Sequence, residues 1–399
     1  MRKKFVYLDY ASSTSVDPLV LKAMLPFLKG EFGNPSSSHQ SGQRARGAVE
    51  KAREQVASFL GCSADEIVFT SGATEANNLA IQGVLKTINY KLRTGKPHII
   101  ISSIEHESVL APVQELERQG RIEATYIIVG KEGIVDPVDV EKAIKENTVL
   151  VSIQYANSEI GTIQPIAEIG KIIRKRNESS VVGRGLSVIF HTDAVQAAPY
   201  LSCNIEKLGV DMLTLSSHKV YGPKGVGALY IRKGVSLRPF FWGGGQEQDL
   251  RPGTENVAGI VGMGKAVEQL SDPRAAVQTI RIRQLRDFLQ KEVQKRISKA
   301  LFTGSTTNRL PNNAHFLIEG VEGKDIVMLL DQKGIAVSTG SACSEAAQEP
   351  SHVLLAMGYS RTEALSALRI TLGNPTKKED VEKGVKALQK VVEQLRIRR

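Results

Sequence analysis

A lysine in a glycine-rich loop, with an acid at the end of an earlier strand, forms the first pair in this sequence able to do chemistry together. Lys219 lies in the stretch 216–227, SSHKVYGPKGVG, among small hydroxyl residues, His218 and glycines. The runs 211–215 and 226–231 on either side are apolar and strand-like, so the stretch reads as a loop between two buried strands. A lysine so placed suits an amine of lowered pKa, held beside a phosphate and ready to form a Schiff base. Upstream, the apolar run 186–190 leads into His191, Thr192, Asp193, Ala194, Val195 and Gln196. Asp193 then stands at a strand end, where a carboxylate can keep a pyridine nitrogen protonated. Together these groups are what pyridoxal phosphate (PLP) chemistry requires.

Three more stretches carry chemistry. After the strand-like run 66–70, the turn Ser71, Gly72, Ala73, Thr74 opens a helix running through Leu85. Small residues at a helix start present unpaired N–H groups and the positive dipole end, which makes a seat for a phosphate. An ordinary capped helix with Thr74 as N-cap is the plainer alternative. The stretch 339–345, TGSACSE, has no apolar period and reads as a mobile loop with an exposed thiol, Cys343. Cys62 and Cys203 sit in more apolar surroundings, as buried cysteines do. The strand-like run 366–373 holds one cation on its buried side, Arg369, able to fork onto a carboxylate.

The elements that must position these groups alternate. Runs 99–102 and 149–154 read as strands, 43–60 as an amphipathic helix stopped by Gly61, and 257 to about 298 as helix interrupted near Asp272 and Pro273. Such alternation argues a mostly parallel sheet with helices on both faces and sites at the strand C-terminal ends. Runs 314–318 and 335–338 read as later strands, 179–185 as an exposed loop and 377–399 as a basic amphipathic helix. With 399 residues, 41% of them hydrophobic, the chain can build one large domain and a smaller one. No apolar run reaches the roughly 18 residues of a membrane helix. Three dispersed cysteines make no disulfide framework and suit a reducing cytosol. A net charge of +10 suits acidic partners, but aromatics are only 5% and interleave with no basic block, so direct nucleic-acid recognition is not expected.

The whole arrangement resembles the fold-type I, class V PLP enzymes, and within them the cysteine desulfurases of the NifS/IscS type, from Tyr7 to about Gly373. The Ser-Thr-Gly-Ser-Ala-Cys block at 338–343 is its most discriminating part. The resemblance implies an α/β fold: a mostly parallel, seven-stranded-type sheet flanked by helices, plus a smaller α+β C-terminal domain. The large domain would span 15–260, the small one 1–14 and 261–399, with the cysteine loop at about 338–350. It implies conversion of L-cysteine to L-alanine with a persulfide on Cys343, supplying iron–sulfur cluster assembly or thiolated tRNA or cofactors. Lys219 would hold PLP as an aldimine, with Ser216 and His218 beside it. Ala73 and Thr74 would bind its phosphate, His106 would stack on the ring and assist proton transfer, and Asp193 would hold the ring nitrogen. Gln196 and Asn157 would meet the phenolic oxygen, Asn157 and Arg369 the substrate carboxylate, and Asn34 is a further substrate contact. Thr254 would reach a partner's PLP phosphate, which implies a homodimer; Pro252 departs from the usual Ser or Arg-Ser before Gly-Thr. A sulfur-acceptor protein is the other implied partner, and the cytoplasm the implied compartment. A selenocysteine lyase or other class V lyase, and a carrier or scaffold role, are the alternatives. No resident metal is expected; transient iron–sulfur ligation by Cys343 stays open.

Overall fold

The computed structural model describes residues 5–88, 95–180, 187–340 and 349–397. In chain order the first elements are β1 (Val6–Tyr7), α1 (Pro18–Lys29), α2 (Gln40–Leu60), β2 (Ile67–Thr70), α3 (Ala73–Ile88), β3 (His98–Ser102), α4 (Glu107–Arg118) and β4 (Glu123–Ile127). There follow α5 (Pro137–Ala143), β5 (Thr148–Ser152), α6 (Ile166–Ser180), β6 (Ile189–Asp193), α7 (Ile205–Leu208), β7 (Met212–Ser216) and β8 (Gly227–Ile231). The last are α8 (Val257–Leu270), α9 (Pro273–Arg296), β9 (Ala300–Phe302), β10 (Asn313–Ile318), α10 (Gly323–Asp331), β11 (Ile335–Ala336), α11 (His352–Ala356), α12 (Arg361–Leu365), β12 (Ala367–Thr371) and α13 (Lys378–Ile397).

Seven strands form one sheet in the order β2-β8-β7-β6-β5-β3-β4. All neighbours pair in parallel except β8, which runs against both β7 and β2. The inner strands are buried on both faces, as parallel strands under two helical layers must be. Side-chain alternation assigns the faces. Ile99 and Ile101 of β3 pack with Leu79, Val84 and Val113 of α3 and α4, while Ile100 joins Val56, Ile169 and Val267 of α2, α6 and α8.

A second core gathers Ile282, Leu289, Phe316, Ile326, Leu368, Val385 and Leu388, where α9, α10 and α13 cover the antiparallel sheet β12-β10-β9. The N-terminal strand joins this part: β1 pairs in parallel with β11.

Local signals explain most boundaries. Gly61 ends α2 in the left-handed conformation at φ 74, where a Cβ would be strained. Asp272 caps α9 through the Arg274 N–H, and Pro273 takes its first turn, so the long apolar stretch divides there. Helix α6 runs through Ser180, past the expected start of the exposed loop; residues 181–185 lie outside the described residues. Edge strand β4 carries a weak pattern, with an exposed glutamate and half-buried positions up to Ile127.

Candidate active site

The ends of five strands on one side of the sheet frame a cavity of about 490 Å³. Thr70 leads to the turn opening α3, Ser102 to His106, and Ser152 to Asn157. Asp193 is the last residue of β6, and Ser216 leads into a 3-10 turn, Ser217–Lys219. Ligand sites at strand C-terminal ends are the rule in open α/β sheets. The antiparallel return of β8 makes the lysine loop a hairpin connection. A Cβ on Gly227 would lie 2.8 Å from the Gly72 Cα, so glycine there lets β8 sit against the turn that opens α3.

Of the groups singled out above, Ala73, Thr74, His106, Asn157, Asp193, Gln196, Ser216, His218, Lys219 and Arg369 all line this cavity. Lys219 Nζ donates to the carbonyls of Ala11 and Ser12, each at 2.6 Å, so the N-terminal segment closes over the lysine. Gln196 Nε2 donates to Ala11 O at 2.9 Å. His218 is held neutral near neutral pH: burial first, then Lys219 and Lys224, lower its pKa to about 4. The Asp193 carboxylate accepts from Val195 N–H (3.0 Å) and from Asn77 Nδ2 (2.8 Å). Asn157 is largely committed to its own turn, accepting from the Glu159 and Ile160 N–H groups and donating to Ile104 O.

Arg369 is 3% exposed and donates to Ser158 O, Gly340 O and Asp9 Oδ1 at 2.8–3.0 Å. Its buried Nε has no partner among the described residues.

Two residues stand elsewhere. Asn34 is exposed, and its side chain accepts from Ser36 N–H within its own loop. Thr254 is also exposed and does not line this cavity. Its segment is anchored upstream: the buried Glu247 meets Arg53 through two 2.8 Å contacts and accepts from Phe69 N–H, while Arg251 pairs with Glu75 of α3. Cys343 lies outside the described residues. Sequence reasoning missed Asn77 and Glu105. A polar side chain on the apolar stripe Ala80, Ile81, Val84 of a helix that opens at a phosphate seat was the available signal for Asn77.

Glu105 is fully buried, and its carboxyl is raised to about 8, burial outweighing the bonds donated by Ser102 and Gln154. Below the ordinary carboxyl pKa the group is neutral folded or unfolded; as pH rises through about 8 only the folded state must bury the charge. Stability is therefore lost across that interval. Glu105→Gln is expected to gain stability relative to the parent chain between pH 5 and pH 8 in urea melts. A difference that stays constant with pH would contradict this.

Residues 6–383 match the Aminotransferase class-V family. The chain belongs to that family. A curated relative from Dictyoglomus turgidum, "Cysteine desulfurase IscS", is 49% identical over 99% of this chain and 96% of its own length. Among solved structures, a "NifS-like protein" is 37% identical with a TM-score of 0.88, covering 98% of this chain and 100% of that one. "SspA in complex with cysteine" is 38% identical with a TM-score of 0.79, covering 92% and 98%.

The cofactor of class V enzymes, PLP, fits the residues present. The cavity volume is that of a small-molecule site. The first turn of α3 offers N–H groups that no helix carbonyl can satisfy. An amine, a carboxylate and a guanidinium whose buried Nε has no partner among the described residues line the same space.

Proposed function

We propose that this class V chain is a PLP-dependent cysteine desulfurase, converting L-cysteine to L-alanine and passing the sulfur to Cys343. The observation that carries the reading is the single cavity in which Lys219, Asp193, His106, the α3 N-terminus and Arg369 meet. The names of the relatives support it, as does the cysteine bound in the SspA complex.

PLP, when bound, supplies an electron sink for negative charge developing at the substrate Cα. Lys219 carries the cofactor covalently through Nζ, for which it must leave the carbonyls of Ala11 and Ser12. Once freed by the incoming amine, Nζ is the base that moves the Cα proton. Asp193 would hold the proton on the ring nitrogen, and His106, which lines the same cavity, would serve as a second proton-transfer group. Ala73 and Thr74, with Ser216 and His218 beside the lysine, hold the phosphate. Gln196 and Asn157 meet the phenolic oxygen. Asn157 and Arg369 would meet the substrate carboxylate; Asn34, exposed and bonded within its own loop, does not line this cavity. The Cys343 thiolate attacks the substrate sulfur, the carbon–sulfur bond breaks, and the persulfide stays on the protein. The other two thiols suit this role poorly, since burial pushes Cys62 and Cys203 up to about 12.

The chain acts as a homodimer, with Thr254 serving the partner's phosphate; its exposure, away from its own chain's cavity, supports this. We divide the chain at 15–260 and 1–14 with 261–399, on the strength of the two sheets and their separate cores. The persulfide goes to a sulfur-acceptor protein in the cytoplasm. No helix among the described residues is long and apolar enough to cross a membrane.

The test measures alanine and sulfide from L-cysteine with a reductant, alongside PLP absorbance, for wild type and Cys343→Ala. Both products from wild type, and neither from a variant that keeps its colour, is the expected result. Equal turnover by the variant would favour a direct β-eliminating lyase, and a protein that stays colourless with added PLP would sink the reading. Arg369→Lys is expected to raise the KM for cysteine by about 10- to 100-fold, because an ammonium cannot reproduce the guanidinium fork. An unchanged KM would remove Arg369 from the carboxylate site.

A further inference from the structure

We propose that Asn77 and Ser108 are positioning residues that tie Asp193 to His106 through one buried chain of hydrogen bonds and hold His106 as the tautomer protonated on Nε2. The role assigned to that tautomer rests on the PLP site proposed above; the hydrogen-bond chain itself rests on geometry.

Asn77 is fully buried on α3, one turn beyond the phosphate seat, with apolar neighbours Ala80, Ile81 and Val84 on the same face. Its Nδ2 donates to Asp193 Oδ2 and to Ser108 Oγ, each at 2.8 Å. An amide nitrogen has two hydrogens, so both are used. Turning the amide over would set its oxygen against the carboxylate, which fixes the orientation. The price is Oδ1, which is buried without a partner among the described residues. An orphaned oxygen in an apolar setting works against the fold, so the two donated bonds are what this side chain contributes.

Ser108 Oγ, having accepted from Asn77, directs its one hydrogen to His106 Nδ1 at 2.8 Å. The same Nδ1 accepts from the Ser108 backbone N–H at 3.1 Å, since His106 is the N-cap of α4. A backbone N–H can only donate, so Nδ1 carries no proton and the neutral ring has its proton on Nε2. The direction of every bond follows: Asn77 gives to Asp193 and to Ser108, and Ser108 gives to His106. With Nδ1 committed twice, His106 exchanges protons with the cavity through Nε2. The carboxylate behind the ring nitrogen and the imidazole at the ring face are thereby set by one amide.

The test uses the full-length PLP-loaded protein labelled with nitrogen-15 at histidine, the His106 signals being assigned with His106→Gln. Wild type is expected to show Nδ1 in the unprotonated range and Nε2 in the protonated range at neutral pH. Ser108→Ala keeps the backbone N–H on Nδ1 and removes only the hydroxyl donor. It is expected to retain the Nε2–H tautomer, to move the Nδ1 signal further into the unprotonated range, and to lower kcat about 10-fold with KM within about twofold. Ser108→Thr, which keeps the hydroxyl, should restore both. Asn77→Ala should move the Nδ1 signal the same way, because Ser108 then loses the donor that orients its hydroxyl. A wild-type signal showing Nδ1–H would overturn the proposal, as would a Ser108→Ala enzyme with an unchanged Nδ1 signal and unchanged kcat. Bound colour and cysteine turnover of the wild type report separately on the PLP reading, so either idea can fail without the other.

Discussion

Lys219→Ala is expected to lower alanine and sulfide formation by at least about 10³-fold while leaving the protein folded. Two functions are lost together: covalent attachment of the cofactor, and the base that moves the Cα proton, itself worth about 10²–10⁴. The structural loss is smaller. Nζ gives up its bonds to the Ala11 and Ser12 carbonyls, which lie at the edge of the cavity, not in a core. The variant should bind PLP reversibly, so that gel filtration strips its colour while wild type keeps it. Retention of colour through gel filtration, or turnover within tenfold of wild type, would remove Lys219 from the centre of the reading.

The second large effect concerns stability. Glu247→Ala is expected to destabilise the fold by about 3–5 kcal/mol, as removing one partner of a buried pair does. Its carboxylate meets both Arg53 Nη1 and Nη2 and also accepts from Phe69 N–H, and Arg53 is only 7% exposed. Alanine would leave both Arg53 Nη groups without their carboxylate and a strand N–H without its acceptor, while Nε keeps Glu50 and Nη1 keeps Ile67 O. The position also carries backbone strain: Glu247, Gln248 and Asp249 all have positive φ, from 47 to 62 degrees. The pair holds that strained segment against β2, whose end opens the phosphate seat. Replacing both partners, Arg53→Met with Glu247→Leu, should cost clearly less than either Arg53→Met or Glu247→Leu alone. Urea unfolding of the single and double variants reads this directly, and additive losses would refute the pairing argument.

Much of the site was legible because its groups belong to stretches with strong local character. The lysine hairpin lies between two apolar strands, the α3 turn is made of small residues, and Asp193 ends a strand; each could be read without knowing its neighbours. What could not be read is set by distance along the chain. Arg53 and Glu247 are 194 residues apart, and nothing near either names the other. The reversed direction of β8 depends on pairing with β2 and β7, not on its own apolar run, which would serve equally well parallel. Asn77 was hidden for another reason: an asparagine inside a helix has many ordinary explanations, and only its placement between Ser108 and Asp193 gives it a purpose. Thr254 and Asn34 lie outside this cavity for reasons a single chain does not reveal from sequence alone.

The closure of the N-terminal segment over Lys219 has a consequence for the order in which the molecule can be completed during synthesis. β1 has its partner in β11, and Asp9 meets Arg369, 360 residues further on. The central sheet, built entirely between residues 67 and 231, can therefore form first, while β1, made before it, waits for β11 to be made. Loop-closure entropy makes such distant pairings late events. The segment carrying Ala11 and Ser12 is held from one side by Gln196 and His218 and from the other by Thr371 of β12, so a chain that stops short of β12 could own a finished sheet and still lack half of that frame. With only two residues in β1, the wait exposes little strand edge to other nascent chains.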